Sequence, residues 1–219
     1  MNTKIRAVIF DLDGVLVFTD RFHYQAWKKI ADELKIPFDE QINNRLRGVS
    51  RMESLEIILE QYYGTPLSST CKEALAEKKN GIYRELLTQM SSADVSDAVR
   101  DTLTQLKKKN CLLAVGSSSR NTRFILERVQ LTDVFDAVAD GTMISRSKPD
   151  PEVFLKAAEL LKIAPGQCLV VEDADAGIEA GKRACMRTAA IGDAAAHGKA
   201  DYILSSLTEL LSILDDKKR

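Results

Sequence analysis

The stretch Ala7-Val8-Ile9-Phe10-Asp11-Leu12-Asp13-Gly14-Val15 decides how the rest of the chain is read. Four apolar residues without alternation are what a strand buried on both faces requires. Two carboxylates follow, and an acid directly beyond a buried strand is costly unless a cation or hydrogen bonds stabilise it. Asp11 and Asp13 are two apart, so on an extended chain their side chains point the same way, and Gly14 permits a sharp turn out of the strand. Asp-Gly is also a common surface turn, and taken alone the segment fits either reading. A second apolar run, Leu169-Val170-Val171, ends in Glu172-Asp173 in the same manner. Two acidic endings in one chain point to one shared site holding a divalent metal.

Outward from the first run, strand-like and helix-like segments alternate, with one interruption. Residues 20 to 92 show only helical periodicity. Phe22 to Leu34 reads as a helix with Phe22, Ala26, Trp27 and Ile30 on one face. Ser50-Arg51-Met52-Glu53 has the spacing of a capping box, in which a serine and a glutamate three residues on each satisfy the other's backbone N–H. Gly64-Thr65-Pro66 breaks the pattern before a longer polar helix over Ser69 to Leu87. From about residue 98 the alternation resumes. Strands are expected at Leu112 to Val115, Phe135 to Ala139, Cys168 to Val171, Thr188 to Ile191 and Tyr202 to Leu204. Helices are expected at Ala98 to Lys109, Asn121 to Val129, Pro151 to Leu161, Ala176 to Ala184 and Leu207 to Leu214, the last behind a second capping box at Ser206. Near-continuous apolar strands separated by helices imply an α/β fold, a doubly wound parallel sheet covered on both faces. Such sheets bind ligands beyond the carboxyl ends of their strands. The all-helical stretch reads as an inserted cap domain over residues 18–93, leaving 1–17 and 94–219 as the core domain.

Two further segments follow core strands. Gly116-Ser117-Ser118-Ser119-Arg120-Asn121 sets small hydroxyl residues and backbone N–H groups at a helix start, which suits an anion as well as a plain helix cap. Lys148-Pro149-Asp150-Pro151 precedes a helix whose first turn accommodates Pro151, and Lys148 at the loop end is able to offset phosphate charge. Asp11, Glu172, Asp173 and a backbone carbonyl supply hard oxygen ligands of the kind Mg²⁺ prefers. Each segment is weak alone, but four of them after successive core strands make a strong combination.

Composition narrows the field. With 31 basic and 32 acidic residues the net charge is −1, so no basic excess points to nucleic acid or to an anionic membrane. No apolar run approaches a membrane span. Met1-Asn2-Thr3-Lys4 leads straight into a strand-like segment, which leaves no signal peptide and implies a cytoplasmic protein. Cys71, Cys111, Cys168 and Cys185 lack metal-like spacing and read as buried free thiols in a reducing cytoplasm. A monomer acting on small molecules fits the near-neutral charge.

Asp11-Leu12-Asp13-Gly14-Val15, Ser117, Lys148 and Glu172-Asp173 resemble the four motifs of the haloacid dehalogenase superfamily, whose core is Rossmann-like, and the helical insertion resembles its helical cap. The cap is similar to that of the superfamily's β-phosphoglucomutase branch. The similarity lies in Thr19, His23 and Trp27, in Arg47-Gly48-Val49-Ser50-Arg51-Met52-Glu53-Ser54-Leu55, in Lys78-Lys79-Asn80 and in Ser117-Ser118-Ser119-Arg120-Asn121.

The resemblance implies that Asp11 is the nucleophile and Asp13 the general acid/base. It implies a Mg²⁺ held by Asp11, the Asp13 carbonyl, Glu172 and Asp173. Ser117, the Ser118 backbone and Lys148 hold the transferring phosphate. Arg51, Ser119 and Asn121 grip a second phosphate, with Ser50 and Arg120 in the same two stretches. Gly48, Val49 and Ser54 line the sugar pocket. Thr19, His23 and Lys79 position Asp13 when the cap closes. The implied activity interconverts β-glucose 1-phosphate and glucose 6-phosphate through an aspartyl phosphate and a glucose 1,6-bisphosphate. The alternatives are a sugar-phosphate phosphatase, which shares every core residue, and more remotely a phospho-aspartate signalling protein, which needs neither Asp13 nor a cap. Two positions depart from the pattern. Phe18 stands where an acid is usual, and Ser96-Asp97 replaces a Pro-Gly pair.

Overall fold

The computed structural model describes residues 4–46 and 49–215. Strand β1 (Ala7–Phe10) is followed by four helices, α1 (Asp20–Glu33), α2 (Glu40–Asn44), α3 (Arg51–Leu59) and α4 (Ser69–Leu87). The alternating part then runs α5 (Asp97–Lys108), β2 (Leu112–Gly116), α6 (Thr122–Arg128), β3 (Ala137–Ala139) and α7 (Glu152–Leu161). It continues through β4 (Cys168–Glu172), α8 (Asp175–Arg183), β5 (Arg187–Ala190), α9 (Asp193–Ala196), β6 (Tyr202–Ile203) and α10 (Leu210–Asp215).

The six strands form one sheet in the order β3-β2-β1-β4-β5-β6, and every pairing is parallel. All four residues of β1 are buried, as the unalternating apolar run requires. Its register fixes the site. Phe10 lies opposite Val115 of β2 and Val171 of β4, so Asp11, Gly116 and Glu172 leave the sheet at one edge. The strand order reverses between β1 and β4, the position at which open α/β sheets bind ligands.

The core beneath this edge is apolar. Val153, Phe154, Ala157, Ala158 and Leu161 form the buried face of α7, at the three- and four-residue spacing of a helix. They pack with Ile9, Ala114, Cys168, Val170 and Ala180. Complete burial of a side chain such as Phe154 contributes about 2–3 kcal/mol.

The chain divides into two compact units, one holding everything up to Phe18 and from Ser91 onward, the other Thr19–Met90. The second unit has its own hydrophobic cluster, built from Trp27, Ile30 and Ala31 of α1, Leu55 and Ile58 of α3, and Ala76 of α4. The capping box at the start of α3 is formed. The Ser50 hydroxyl accepts from the Glu53 N–H at 3.2 Å, and the Glu53 carboxylate accepts from the Ser50 N–H at 2.8 Å. The box expected at Ser206 is not formed. A short 3₁₀ turn, Leu207–Glu209, precedes α10 there, and the Ser206 hydroxyl lies 2.8 Å or less from a hydroxyl rather than a backbone N–H, at 2.7 Å from Thr208 Oγ1. Helices α2 and α9, of five and four residues, are too short to leave a periodic trace in the sequence.

Candidate active site

Asp11 follows β1, and its backbone N–H donates to Val171 O at 2.9 Å, which ties the first acid to the strand that carries the other two. Asp11, Glu172 and Asp173 each offer a carboxylate oxygen within 4.8 Å of the others. Lys148 reaches into the same place. Its Nζ donates to Asp11 Oδ1 and to Glu172 Oε1, both at 2.5 Å. The second Glu172 oxygen accepts the N–H groups of Asp173 and Ala174 at 3.1 Å each.

Two glycines make room for these acids. Gly14 has φ +79°, and a Cβ there would lie 1.9 Å from Asp173 Oδ2. A Cβ on Gly177 would lie 1.9 Å from Glu172 Cδ.

The electrostatics are those of an undercompensated acidic cluster. Burial and then the opposing pull of Lys148 act on Glu172, and burial prevails, raising its pKa to about 7. Burial, followed by the neighbouring Glu172 and Asp11, pushes Asp173 to about 8. Burial by itself would discharge Lys148, but the Asp11 and Glu172 carboxylates outweigh it and hold its pKa above the ordinary lysine value. One ammonium faces three carboxylates. A small divalent cation with oxygen preference fits this donor set, because it balances the remaining charge and uses few protein ligands. Asp11, Glu172 and Asp173 are the side chains placed to hold it. The Asp13 carboxylate is not in this group.

The loop after β2 is held as tightly. Ser117 is buried, its N–H donates to Ala139 O at 3.1 Å, and its hydroxyl accepts from the Ser119 N–H at 3.2 Å. The Ser119 hydroxyl accepts from the Asn121 N–H at 3.2 Å, and Asn121 is buried. The Lys148 N–H reaches Ser118 Oγ at 3.4 Å, which links the hydroxyl loop to the lysine loop. Arg120 is exposed.

A second cluster belongs to the Thr19–Met90 unit. Lys79 of α4 is buried, and its Nζ lies 2.7 Å from His23 Nδ1 of α1. The ammonium sits 5.0 Å from the Trp27 ring centre and 4.6 Å from that of Tyr83. The His23 ring stacks on Tyr83 at 4.1 Å, and Thr19 Oγ1 hydrogen-bonds the Tyr83 hydroxyl at 2.8 Å. Burial, with Lys79 and Arg51 adding to it, lowers the His23 pKa well below the ordinary histidine value. The imidazole is therefore neutral, with Nδ1 accepting and the proton on Nε2. Arg51, the first residue of α3, pairs with Glu77 at 3.1 Å.

Residues 5–184 match the family described as haloacid dehalogenase-like hydrolase. The chain belongs to this family. It is 40% identical over 209 residues to a β-phosphoglucomutase of Bacillus subtilis, a match covering 94% of this chain and 92% of the relative. It is 32% identical over 182 residues to a phosphorylated carbohydrates phosphatase of Thermotoga maritima, covering 82% of each. A solved β-phosphoglucomutase structure from Clostridium difficile superposes with a TM-score of 0.86 at 37% identity, covering 94% of this chain and 93% of that one. Membership makes this a phosphoryl-transfer enzyme on a doubly wound α/β core of the haloacid dehalogenase type.

Of the residues singled out in the sequence, Asp11, Lys148, Glu172 and Asp173 are brought together, with Ser117 and Ser118 on the adjoining loop. Thr19, His23 and Lys79 converge in their own unit. Trp27 lies in that unit's hydrophobic cluster and offers its ring to Lys79. Ser54 is buried and Val49 exposed, while Arg47 and Gly48 lie outside the described residues. Among the described residues no helix is long and apolar enough to cross a membrane. Sequence reading missed Tyr83, which joins Thr19, His23 and Lys79. Its position one helical turn beyond Lys79 is the signal that was available.

Proposed function

We propose that this enzyme interconverts β-glucose 1-phosphate and glucose 6-phosphate. The observation that carries phosphoryl transfer is the Lys148 bridge between Asp11 and Glu172, beside Asp173, at the sheet's switch point. Identity of 40% to a β-phosphoglucomutase across 94% of the chain favours the mutase among phosphoryl-transfer activities.

In this reading Asp11 carries the phosphoryl group as an aspartyl phosphate. Asp13 takes the proton from the sugar C6 hydroxyl as its oxygen attacks phosphorus, and the bond from phosphorus to Asp11 breaks, giving the 1,6-bisphosphate. After the sugar turns round, Asp11 attacks the C1 phosphate and Asp13 returns the proton to the departing C1 oxygen. Lys148 and Ser117 hold the charge of the phosphoryl oxygens through both steps. Bound Mg²⁺, held by Asp11, the Asp13 carbonyl, Glu172 and Asp173, supplies further charge stabilisation. Arg51, with Ser119 and Asn121, reads the phosphate that is not being transferred, since its planar fork matches a pair of oxygens. His23, fixed by Lys79 and joined through Tyr83 to Thr19, belongs with them to the set that positions Asp13.

A phosphatase is the second reading. A carbohydrate phosphatase is among the relatives, and Phe18, which stands where the mutase pattern has an acid, is 72% exposed. ³¹P NMR of β-glucose 1-phosphate with Mg²⁺ and a trace of β-glucose 1,6-bisphosphate separates the two. Glucose 6-phosphate with little free phosphate is the expected result. Stoichiometric inorganic phosphate would overturn the mutase in favour of hydrolysis.

A further inference from the structure

Arg51 is assigned above to the phosphate that is not transferred, and the inference here rests on that assignment. Its guanidinium Nη1 lies 3.1 Å from Glu77 Oε2, with the Arg51 side chain 25% exposed and that of Glu77 73% exposed. The other Glu77 oxygen accepts from Asn80 Nδ2 at 3.4 Å, one helical turn along α4. Both carboxylate oxygens are therefore engaged, and the group is aimed at α3. Neighbouring ion pairs of this unit, Lys72 with Glu56 and Lys78 with Glu33, fasten helices through lysines that have no assigned part in the chemistry. Glu77 instead places its charge on the arginine that the substrate needs.

A carboxylate and a phosphate offer a guanidinium the same thing, namely anionic oxygens spaced for its fork. We propose that Glu77 is a specificity-determining residue, an internal competitor for Arg51 that the distal phosphate has to displace. A dianionic phosphate outbids a single carboxylate for the fork, whereas a singly charged or neutral group at that position does not. The apparent affinity is lowered by the fraction of Arg51 that Glu77 holds, as for any binding-competent state that is only partly populated. The exposure of Glu77 keeps the effect small, about two- to fivefold.

Glu77→Gln keeps the shape and removes the charge, and Glu77→Asp keeps the charge but shortens its reach. With β-glucose 1-phosphate, primed with bisphosphate, both variants should lower KM about two- to fivefold at unchanged kcat, the signature of altered uniform binding. Turnover of p-nitrophenyl phosphate, which has no distal phosphate, should not change. Arg51→Ala and the double variant Arg51→Ala/Glu77→Gln are measured in parallel. A raised KM in Arg51→Ala, a lowered KM in Glu77→Gln and no effect of Glu77 once Arg51 is gone would support the proposal. A raised KM in Arg51→Ala with KM unchanged or raised in Glu77→Gln overturns the competitor and leaves the Arg51 assignment standing. An unchanged KM in Arg51→Ala overturns both.

Discussion

Among the described residues two lysine side chains, those of Lys148 and Lys79, are largely enclosed, and the chain meets their charge by different means. Lys148 is met by formal charge, with carboxylates at 2.5 Å on two sides. Lys79 is met by an imidazole nitrogen at 2.7 Å and by the faces of Trp27 and Tyr83. The first arrangement is electrostatically stiff, since losing the cation leaves acids that repel each other. The second leaves neutral groups behind when the cation goes. The lysine proposed to manage charge during transfer sits in the first setting, and the one placed against His23 Nδ1 sits in the second.

Replacing each lysine by methionine tests that contrast. Lys148→Met should destabilise the metal-free protein by about 3–5 kcal/mol in urea unfolding, the penalty for breaking a buried pair from one side. It should also lower turnover by about 10²–10³-fold. Lys79→Met, which loses cation–π contacts and one hydrogen bond, should cost only about 1–2 kcal/mol. Similar losses in the two would break the comparison.

The acid side can be probed between those extremes. Gly177→Ala puts a methyl group where the Glu172 carboxyl lies. It should destabilise by about 1–3 kcal/mol through overpacking and weaken Mg²⁺ binding about 10–100-fold by calorimetry. Unchanged Mg²⁺ affinity would mean that Glu172 relaxes without loss of the site.

The pH dependence should be smaller and its sign is fixed. Glu172 and Asp173 have pKa values of about 7 and about 8, above those of free carboxyls, so between about pH 4 and 8 the native state binds more protons than the unfolded chain. Metal-free stability should therefore fall as the pH rises through that window. Mg²⁺ displaces those protons, so the rise in Tm on adding Mg²⁺ should be larger at about pH 8.5 than at about pH 6. An equal rise at both would show that the two acids do not release protons to the metal.

The strand ends were legible in combination, since one acid after an apolar run also fits a surface turn, but two such endings beside the Ser117 and Lys148 segments do not. Asp11, Glu172 and Asp173 declare themselves in that way, and the parallel sheet brings them to one edge by register alone. The capping box at Ser50 was legible because its two partners are three residues apart in one helix. The same spacing at Ser206 misled, since its hydroxyl bonds the Thr208 hydroxyl and caps no backbone N–H. Gly177 and Tyr83 were not legible as site residues. Gly177 matters through a steric contact with Glu172, and Tyr83 through a hydroxyl 64 residues away in sequence, at Thr19. Glu77 reads as one more surface charge until its partner is known.

The cysteines carry a practical consequence. Burial pushes the thiols of Cys111 and Cys168 up to about 11, whereas Cys71 and Cys185, expected to be buried, are exposed. A maleimide dye at neutral pH should therefore react at two places, one on α4 in the Thr19–Met90 unit and one just beyond α8 in the other. Each of the two units therefore carries its own labelling position without a single introduced residue.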